Sequence, residues 1–135
     1  MVTNGTIIAH LYPNAVGLAD YALDAQGSIV AWNVPKLGPQ PTPAEIAAAE
    51  LPATKAASIA ANRAECSRRI FERYPTGRQL SALAGLYGSA NVATMVDWIA
   101  ANIAAENTAA DAIEAVQPGP NAVAEVEAVS VSWPV

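Results

Sequence analysis

Three prolines within seven residues, Pro35, Pro39 and Pro41, constrain this chain more than any other local feature. Proline lacks a backbone N–H and fixes φ, so the stretch argues against a helix or a central strand and favours a stiff, extended connector. The sequence therefore predicts a boundary here. The predicted segments are a β module at 1–34, a proline-rich connector at 35–41, a helical region at 42–117 and an extended tail at 118–135.

The residues before the connector are typical of short strands. Apolar runs at 6–11, 18–24 and 28–33 are separated by turn-forming residues around Pro13 and Gly27. We predict a small antiparallel meander, with a hairpin formed by the second and third runs around Gly27. Because two or three strands alone are marginally stable, this module needs other elements to pack on.

The residues after the connector predict helices. Thr42, Pro43 and Glu45 match a helix start with an N-cap, a proline at the first helical position and a capping box. Pro52 is expected to break or kink the chain soon afterwards. The predicted helices lie at about 43–51, 53–73, 77–87 and 91–116. The fold class predicted for the whole chain is α+β.

The tail, residues 118–135, is ambiguous between a short helix and an extended segment. Val129, Val131 and Trp133 alternate with serines, which favours a strand at the end. Such a strand can return to the β module or add to the sheet edge of another subunit. The tail is therefore a candidate docking strand.

Composition and motifs argue against several classes of function. A net charge of −5 is unfavourable for binding a phosphate backbone. The single cysteine, Cys66, forms no intramolecular disulfide or cysteine metal cluster, and the single histidine, His10, has no carboxylate near it in sequence. No nucleotide, zinc or calcium motif occurs, so we expect no enzymatic activity, catalytic residue, cofactor or metal.

The chain also lacks the features of a membrane or exported protein. The first residues have neither a basic n-region nor an apolar h-region, and no run approaches the ~20 apolar residues of a membrane span. We expect a soluble, unprocessed chain that contacts neither membrane nor nucleic acid.

Basic residues are concentrated in the middle of the chain. Residues 51–90 carry six basic and two acidic groups, whereas residues 91–135 carry six acidic groups and no Lys or Arg. The basic residues are Lys55, Arg63, Arg68, Arg69, Arg73 and Arg78. They either pair with acidic groups of the last helix, such as Asp97, Glu106 and Asp111, or form a docking face for an acidic partner. Nucleic acid is a third, weaker alternative.

Large side chains are scarce, because 31 of the 135 residues are alanine and only eight are aromatic. The aromatic residues are expected either to anchor an alanine-rich core or, for Trp98 and Trp133, to mark an interface. Combined with the basic cluster and the tail, this gives a set of candidate interface residues. They are Tyr12, Trp32, Arg68, Arg69, Arg73, Trp98, Val129, Val131 and Trp133.

Four motifs in the first half occur in a characteristic order: His-Leu-Tyr-Pro-Asn-Ala at 10–15, Asp-Tyr-Ala-Leu at 20–23, Ile-Val-Ala-Trp-Asn at 29–33 and Pro-Thr-Pro-Ala-Glu-Ile at 41–46. This pattern resembles the small XkdW-like proteins of tailed bacteriophages and prophages. Residues 68–80 and 95–99 are similar to a helical region of phage tail-fibre-associated proteins.

The resemblance implies a structural role in a bacteriophage tail, at the tail tip, baseplate or fibre attachment. The expected partners are other tail proteins, either fibre or baseplate subunits, and further copies of the chain. The expected location is the virion, after synthesis in the cytoplasm of the host bacterium. The alternative is a tail-fibre assembly chaperone that is absent from the mature virion.

Overall fold

The computed structural model describes residues 1–135 and contains six helices and one two-stranded antiparallel sheet. The elements are α1 Asn4–Leu11, β1 Tyr21–Leu23, β2 Ile29–Trp32, α2 Val34–Leu37, α3 Pro43–Arg73, α4 Thr76–Leu83, α5 Ser89–Ala115 and α6 Ala122–Ala128. An N-terminal hairpin followed by helices confirms the predicted α+β class.

The predicted hairpin is formed by β1 and β2. Tyr21 pairs with Trp32 at one end, and the register shifts near the other end through a β-bulge. Gly27 has a φ of +83°, which a glycine adopts without strain, and it closes the turn. One carboxylate oxygen of Asp24 accepts hydrogen bonds from the backbone N–H groups of Gln26 at 2.9 Å and Ser28 at 2.8 Å. This network fixes the turn locally.

The strand predicted at 6–11 is wrong, because these residues belong to α1. Thr3 supplies an N-cap, its hydroxyl accepting a hydrogen bond from the N–H of Thr6 at 3.2 Å. Ile7 and Ile8 are consecutive and both buried, whereas a strand would direct them to opposite faces. The predicted three-strand meander is thus reduced to the hairpin.

The connector contains a short helix that its prolines were expected to exclude. Pro35 lies in the first turn of α2, where its missing N–H costs no intrahelical hydrogen bond. The side chain of Asn33 caps this turn by accepting from the N–H of Lys36 at 3.3 Å. Gly38, with a φ of +80°, follows the last turn, and residues 38–42 have no regular secondary structure.

The start of α3 is as predicted, but the break at Pro52 is wrong. The N–H of Thr42 donates to Glu45 Oε2 at 2.7 Å and the N–H of Glu45 donates to Thr42 Oγ1 at 3.2 Å, which completes the capping box. Helix α3 continues through Pro52 to Arg73. Buried Ala49 and Ala53 flank the exposed proline, so packing on the opposite face stabilises the interrupted helix.

The residues pack into two compact units. The first unit comprises Met1–Ala57 with Pro118–Glu127, and the second comprises Ser58–Gln117 with Ala128–Val135. The core of the first unit includes Ile7, packed with Ala49 and Ala53. Fully buried Ile8 and Val126 also belong to it. The boundaries predicted at the connector and at residue 118 rest on linker composition and remain predictions.

The second unit has its core between α4 and α5. Tyr74, Ala82 and Met95 are buried together, with Trp98 and Ile99 packed against them. The predicted helix at 77–87 ends four residues early, at Leu83. No helix of the chain is both long enough and apolar enough to cross a membrane.

The C-terminal residues, which were ambiguous between helix and strand, form a helix followed by a segment without regular secondary structure. Residues 122–128 form α6, and residues 129–135 have no regular secondary structure, so the predicted terminal strand is wrong. The alternation that suggested it is nevertheless present. Val129, Val131 and Trp133 are half-buried, and Ser130 and Ser132 are exposed.

Candidate protein-interaction surfaces

The candidate interface residues divide between the two units. Tyr12 and Trp32 lie in the first unit, and the others lie in the second. Those of the second unit are Arg68, Arg69, Arg73, Trp98, Val129, Val131 and Trp133. Whether they contact a partner stays a prediction, but the structure shows what each contacts within its own unit.

Trp32 is the centre of an aromatic group in the first unit. Its ring meets Tyr12 edge-on at 5.0 Å between centroids and lies 6.2 Å from the ring of Tyr21. Its indole N–H donates to the carbonyl of Gly38 at 2.9 Å. Tyr12 and Trp32 therefore connect the end of α1, the hairpin and the connector, whatever else they bind.

Asp20 is a buried carboxylate that organises the neighbouring loop. It accepts hydrogen bonds from Lys36 Nζ at 2.5 Å, from the N–H of Val16 at 2.8 Å and from Asn33 Nδ2 at 3.3 Å. The Lys36 ammonium is the main cause that lowers the pKa of this carboxyl, and the Val16 N–H and Asn33 amide add to it. Asp20 is therefore ionised at neutral pH, and its carboxylate accepts hydrogen bonds from all three donors.

The loop at residues 16–20 holds Leu18 in an unusual conformation. Leu18 has a φ of +67°, and its side chain is 93% exposed. The strain is maintained by hydrogen bonds, since the N–H of Leu18 donates to Tyr21 at 2.8 Å and that of Asp20 donates to Val16 at 2.7 Å. Sequence reasoning missed this residue, because Gly17 signals a turn but leucine rarely adopts a positive φ.

In the second unit, Arg69 binds residues 129–135, which we call the tail arm. Its Nη2 donates to the carbonyl of Pro134 at 2.7 Å. Its guanidinium carbon also lies 5.4 Å from the centroid of the Trp133 ring, a cation–π contact. A single side chain of α3 thus holds the arm by its backbone and by its one aromatic residue.

Arg73 and Trp98 bind the next residue of the arm. The indole N–H of Trp98 donates to the backbone oxygen of Val135 at 3.1 Å, and Arg73 Nη1 donates to the same atom at 3.4 Å. The Arg73 guanidinium also lies 4.6 Å from the Trp98 ring centroid. Tyr74 meets the Trp98 ring edge-on at 5.7 Å. These contacts fix the orientation of both donors.

Asn102 is a fully buried polar residue that sequence reasoning missed. Its Oδ1 accepts from Arg69 Nε at 3.2 Å, and its Nδ2 donates to the carbonyl of Trp98 at 2.9 Å. It therefore orients Arg69 toward the arm. The only sequence signal is an asparagine on the apolar face of α5. We refer to Arg69, Arg73, Trp98 and Asn102 together as the tail seat.

The remaining arginines are only partly paired as expected. Arg63 lies 3.5 Å from Glu106 of α5, as the pairing hypothesis predicts. Arg68 pairs within its own helix instead, with Glu65 at 2.8 Å and with Glu72. This raises the pKa of Arg68 and lowers that of Glu65. Arg68 therefore has two carboxylate partners on its own helix, whereas Arg69 and Arg73 are engaged with the tail arm.

Cys66 and Glu106 are both buried in the second unit. Burial is the main cause that raises the pKa of the Cys66 thiol, and the charge of Glu106 raises it further. The Oε1 atom of Glu106 has no hydrogen-bond partner. A protonated, buried thiol is a poor nucleophile. No group of three or more His, Cys, Asp or Glu side chains is positioned to hold a metal ion.

The comparison with known families matches the first unit. Residues 5–58 match the family described as XkdW protein. This region is XkdW-like. The match covers 54 of 135 residues and ends within one residue of the boundary of Met1–Ala57. The resemblance carried by the four sequence motifs is thereby confirmed, and the family that residues 5–58 match is phage-associated. No curated protein and no solved structure is significantly similar to it.

Proposed function

We propose that this protein is a structural component of a bacteriophage tail, located at the tail tip, the baseplate or the fibre attachment. The match of residues 5–58 to a phage-associated family supports this proposal. The matched unit also presents a strained leucine that is exposed to solvent. In this proposal the protein is made in the cytoplasm of the host bacterium and ends up in the virion. It acts through protein–protein contacts and performs no catalytic step.

Leu18 is the residue through which we propose that the XkdW-like unit docks. A leucine at positive φ costs roughly 1–3 kcal/mol, which the surrounding hydrogen bonds must offset. Its side chain gains nothing in return within the unit, because it is 93% exposed. A fixed, protruding apolar side chain of this kind suits an apolar pocket on a fibre or baseplate subunit. Pre-organisation of the loop reduces the entropy lost on binding.

The second unit offers another candidate contact at the end of α4. Three leucines within seven residues are largely exposed: Leu80 at 60%, Leu83 at 85% and Leu86 at 74%. Exposed apolar side chains that are grouped in this way are typical of protein-binding surfaces. In the proposal this surface contacts a second tail protein, so that each unit provides one attachment.

Substitution of Leu18 tests this function directly in the producing phage. Leu18→Gly and Leu18→Asn tolerate a positive φ and remove the apolar side chain, so both should fold normally and fail to enter the particle. Leu18→Met is the matched control, because it keeps an apolar side chain and should be incorporated at the level of the natural chain. The readout is the copy number of each variant per purified particle. Incorporation of Leu18→Gly at the level of the natural chain would contradict the proposed docking residue.

A further inference from the structure

We propose that the tail seat also binds the tail arm of a second copy of this chain, so that two copies associate by exchanging residues 129–135. The arm then makes the same contacts that it makes within one chain, with Arg69, Arg73 and Trp98 of the other copy. This inference does not depend on the proposed role in the tail.

The seat is held together by contacts that do not involve the arm. Asn102 bonds both the backbone of Trp98 and the side chain of Arg69. Arg73 lies over the rings of Trp98 and Tyr74, at 4.6 and 5.8 Å from their centroids. Departure of the arm therefore leaves a formed site in which the three donors already point toward a peptide.

The seat binds the arm mainly through backbone oxygens. Arg69 donates to Pro134, and Trp98 and Arg73 both donate to Val135. The only side-chain requirement among these contacts is the Trp133 ring beneath the Arg69 guanidinium. A matching peptide therefore needs a tryptophan followed by a residue whose carbonyl faces the seat. The arm of a second copy has the same Trp-Pro pair, at 133–134, and can therefore make these contacts.

The arm is suited to exchange because little secondary structure is lost when it moves. It follows α6 without forming a helix or a strand. Seven extended residues span up to about 23 Å, which is enough to reach the surface of an adjacent molecule. Exchange preserves every contact between arm and seat, so its main cost is the entropy of association and it is favoured at high concentration.

A complementation experiment with two full-length variants tests the exchange. Trp133→Ala weakens the arm and keeps the seat, whereas Arg69→Gln weakens the seat and keeps a donor for buried Asn102. In a mixture, the intact seat can be filled only by the intact arm of the other variant. We expect a 1:1 complex in sedimentation velocity and native mass spectrometry, and self-association of each variant at least tenfold weaker than that of the natural chain.

The control is a mixture of Trp133→Ala with a variant that has both substitutions, Trp133→Ala and Arg69→Gln. This mixture contains no intact arm and should remain monomeric. Circular dichroism and cooperative unfolding verify that each chain is folded. A synthetic peptide of residues 129–135 provides a second measurement on the natural chain, since excess peptide should convert its dimer to monomer. A natural chain that stays monomeric at all concentrations, or a dimer that excess peptide leaves intact, would overturn the proposal.

Discussion

Asp20 connects three segments of the XkdW-like unit, because Lys36, Asn33 and the backbone of Val16 all donate to its carboxylate. These partners lower its pKa in the folded state below the unfolded value. The stability that it contributes is therefore fully present above about pH 4 and is lost as the pH falls through the folded pKa.

We expect Asp20→Asn to lower the melting temperature at neutral pH and to remove part of its decline below pH 4. The asparagine keeps the size of the side chain and loses the charge that Lys36 requires. Thermal unfolding of both chains between pH 7 and roughly pH 2 checks this. A decline of equal steepness in the two chains would show that Asp20 does not contribute to acid sensitivity.

Leu18 provides a second test at the level of a single residue. Leu18→Gly relieves the strain of a φ of +67° and also increases the entropy of the unfolded chain. We expect the free energy of unfolding to stay unchanged or to rise by up to about 1 kcal/mol. Urea denaturation measures it. A loss of more than about 1 kcal/mol would mean that the exposed side chain stabilises the fold.

Residue-level prediction from sequence succeeded where the interaction is local. The capping box joins Thr42 to Glu45, three positions along the chain, and its hydrogen bonds also lower the pKa of Glu45. Asn102 was missed because its role depends on a distant residue, and Leu18 was missed because leucine rarely adopts a positive φ. Asn102 acts through Arg69, 33 residues away, whereas Leu18 is held by hydrogen bonds among residues 16–21.

Among the helices, α3 carries an evident cost at Pro52. An interior proline removes a hydrogen bond and crowds the preceding turn. We expect Pro52→Ala to raise the free energy of unfolding by about 1–3 kcal/mol, measured by urea denaturation. Pro43→Ala is the matched control, because a proline in the first helical turn is well tolerated and its replacement should change little. Equal effects of the two substitutions would contradict the account.

Where sequence patterns predicted the wrong secondary structure, packing between distant segments determined the observed one. Residues 6–11 are an apolar run compatible with either a strand or a helix, and burial of Ile7 with Ala49 and Ala53 favours the helix. Pro52 ends a helix by local rules, yet the buried alanines on either side keep α3 continuous. Such contacts between distant segments leave no periodic signal in the sequence.

For the tail arm, the sequence correctly predicted which side chains are less exposed but wrongly predicted that the segment pairs as a β-strand. Alternation correctly placed Val129, Val131 and Trp133 on the less exposed side of an extended segment. A strand would satisfy its backbone through a sheet, but here arginine and tryptophan side chains donate to its oxygens. Alternation of apolar and polar residues therefore predicts which face of an extended segment is buried, but it does not predict which residues bury that face.

The whole molecule contains an XkdW-like unit and a second unit that lies almost entirely outside the matched residues 5–58. We propose that both units serve attachment, the first through Leu18 and the second through Leu80, Leu83 and Leu86 at the end of α4. A net charge of −5 is unfavourable for binding nucleic acid and is compatible with a protein partner.

Quantitative peptide mass spectrometry of purified phage particles, compared with the crude lysate of the producing cells, tests whether the protein is a component of the phage tail. A tail component should be retained through purification at a fixed ratio to the other tail proteins. Abundance in the lysate together with absence from the particle would contradict a virion role and would favour an assembly chaperone.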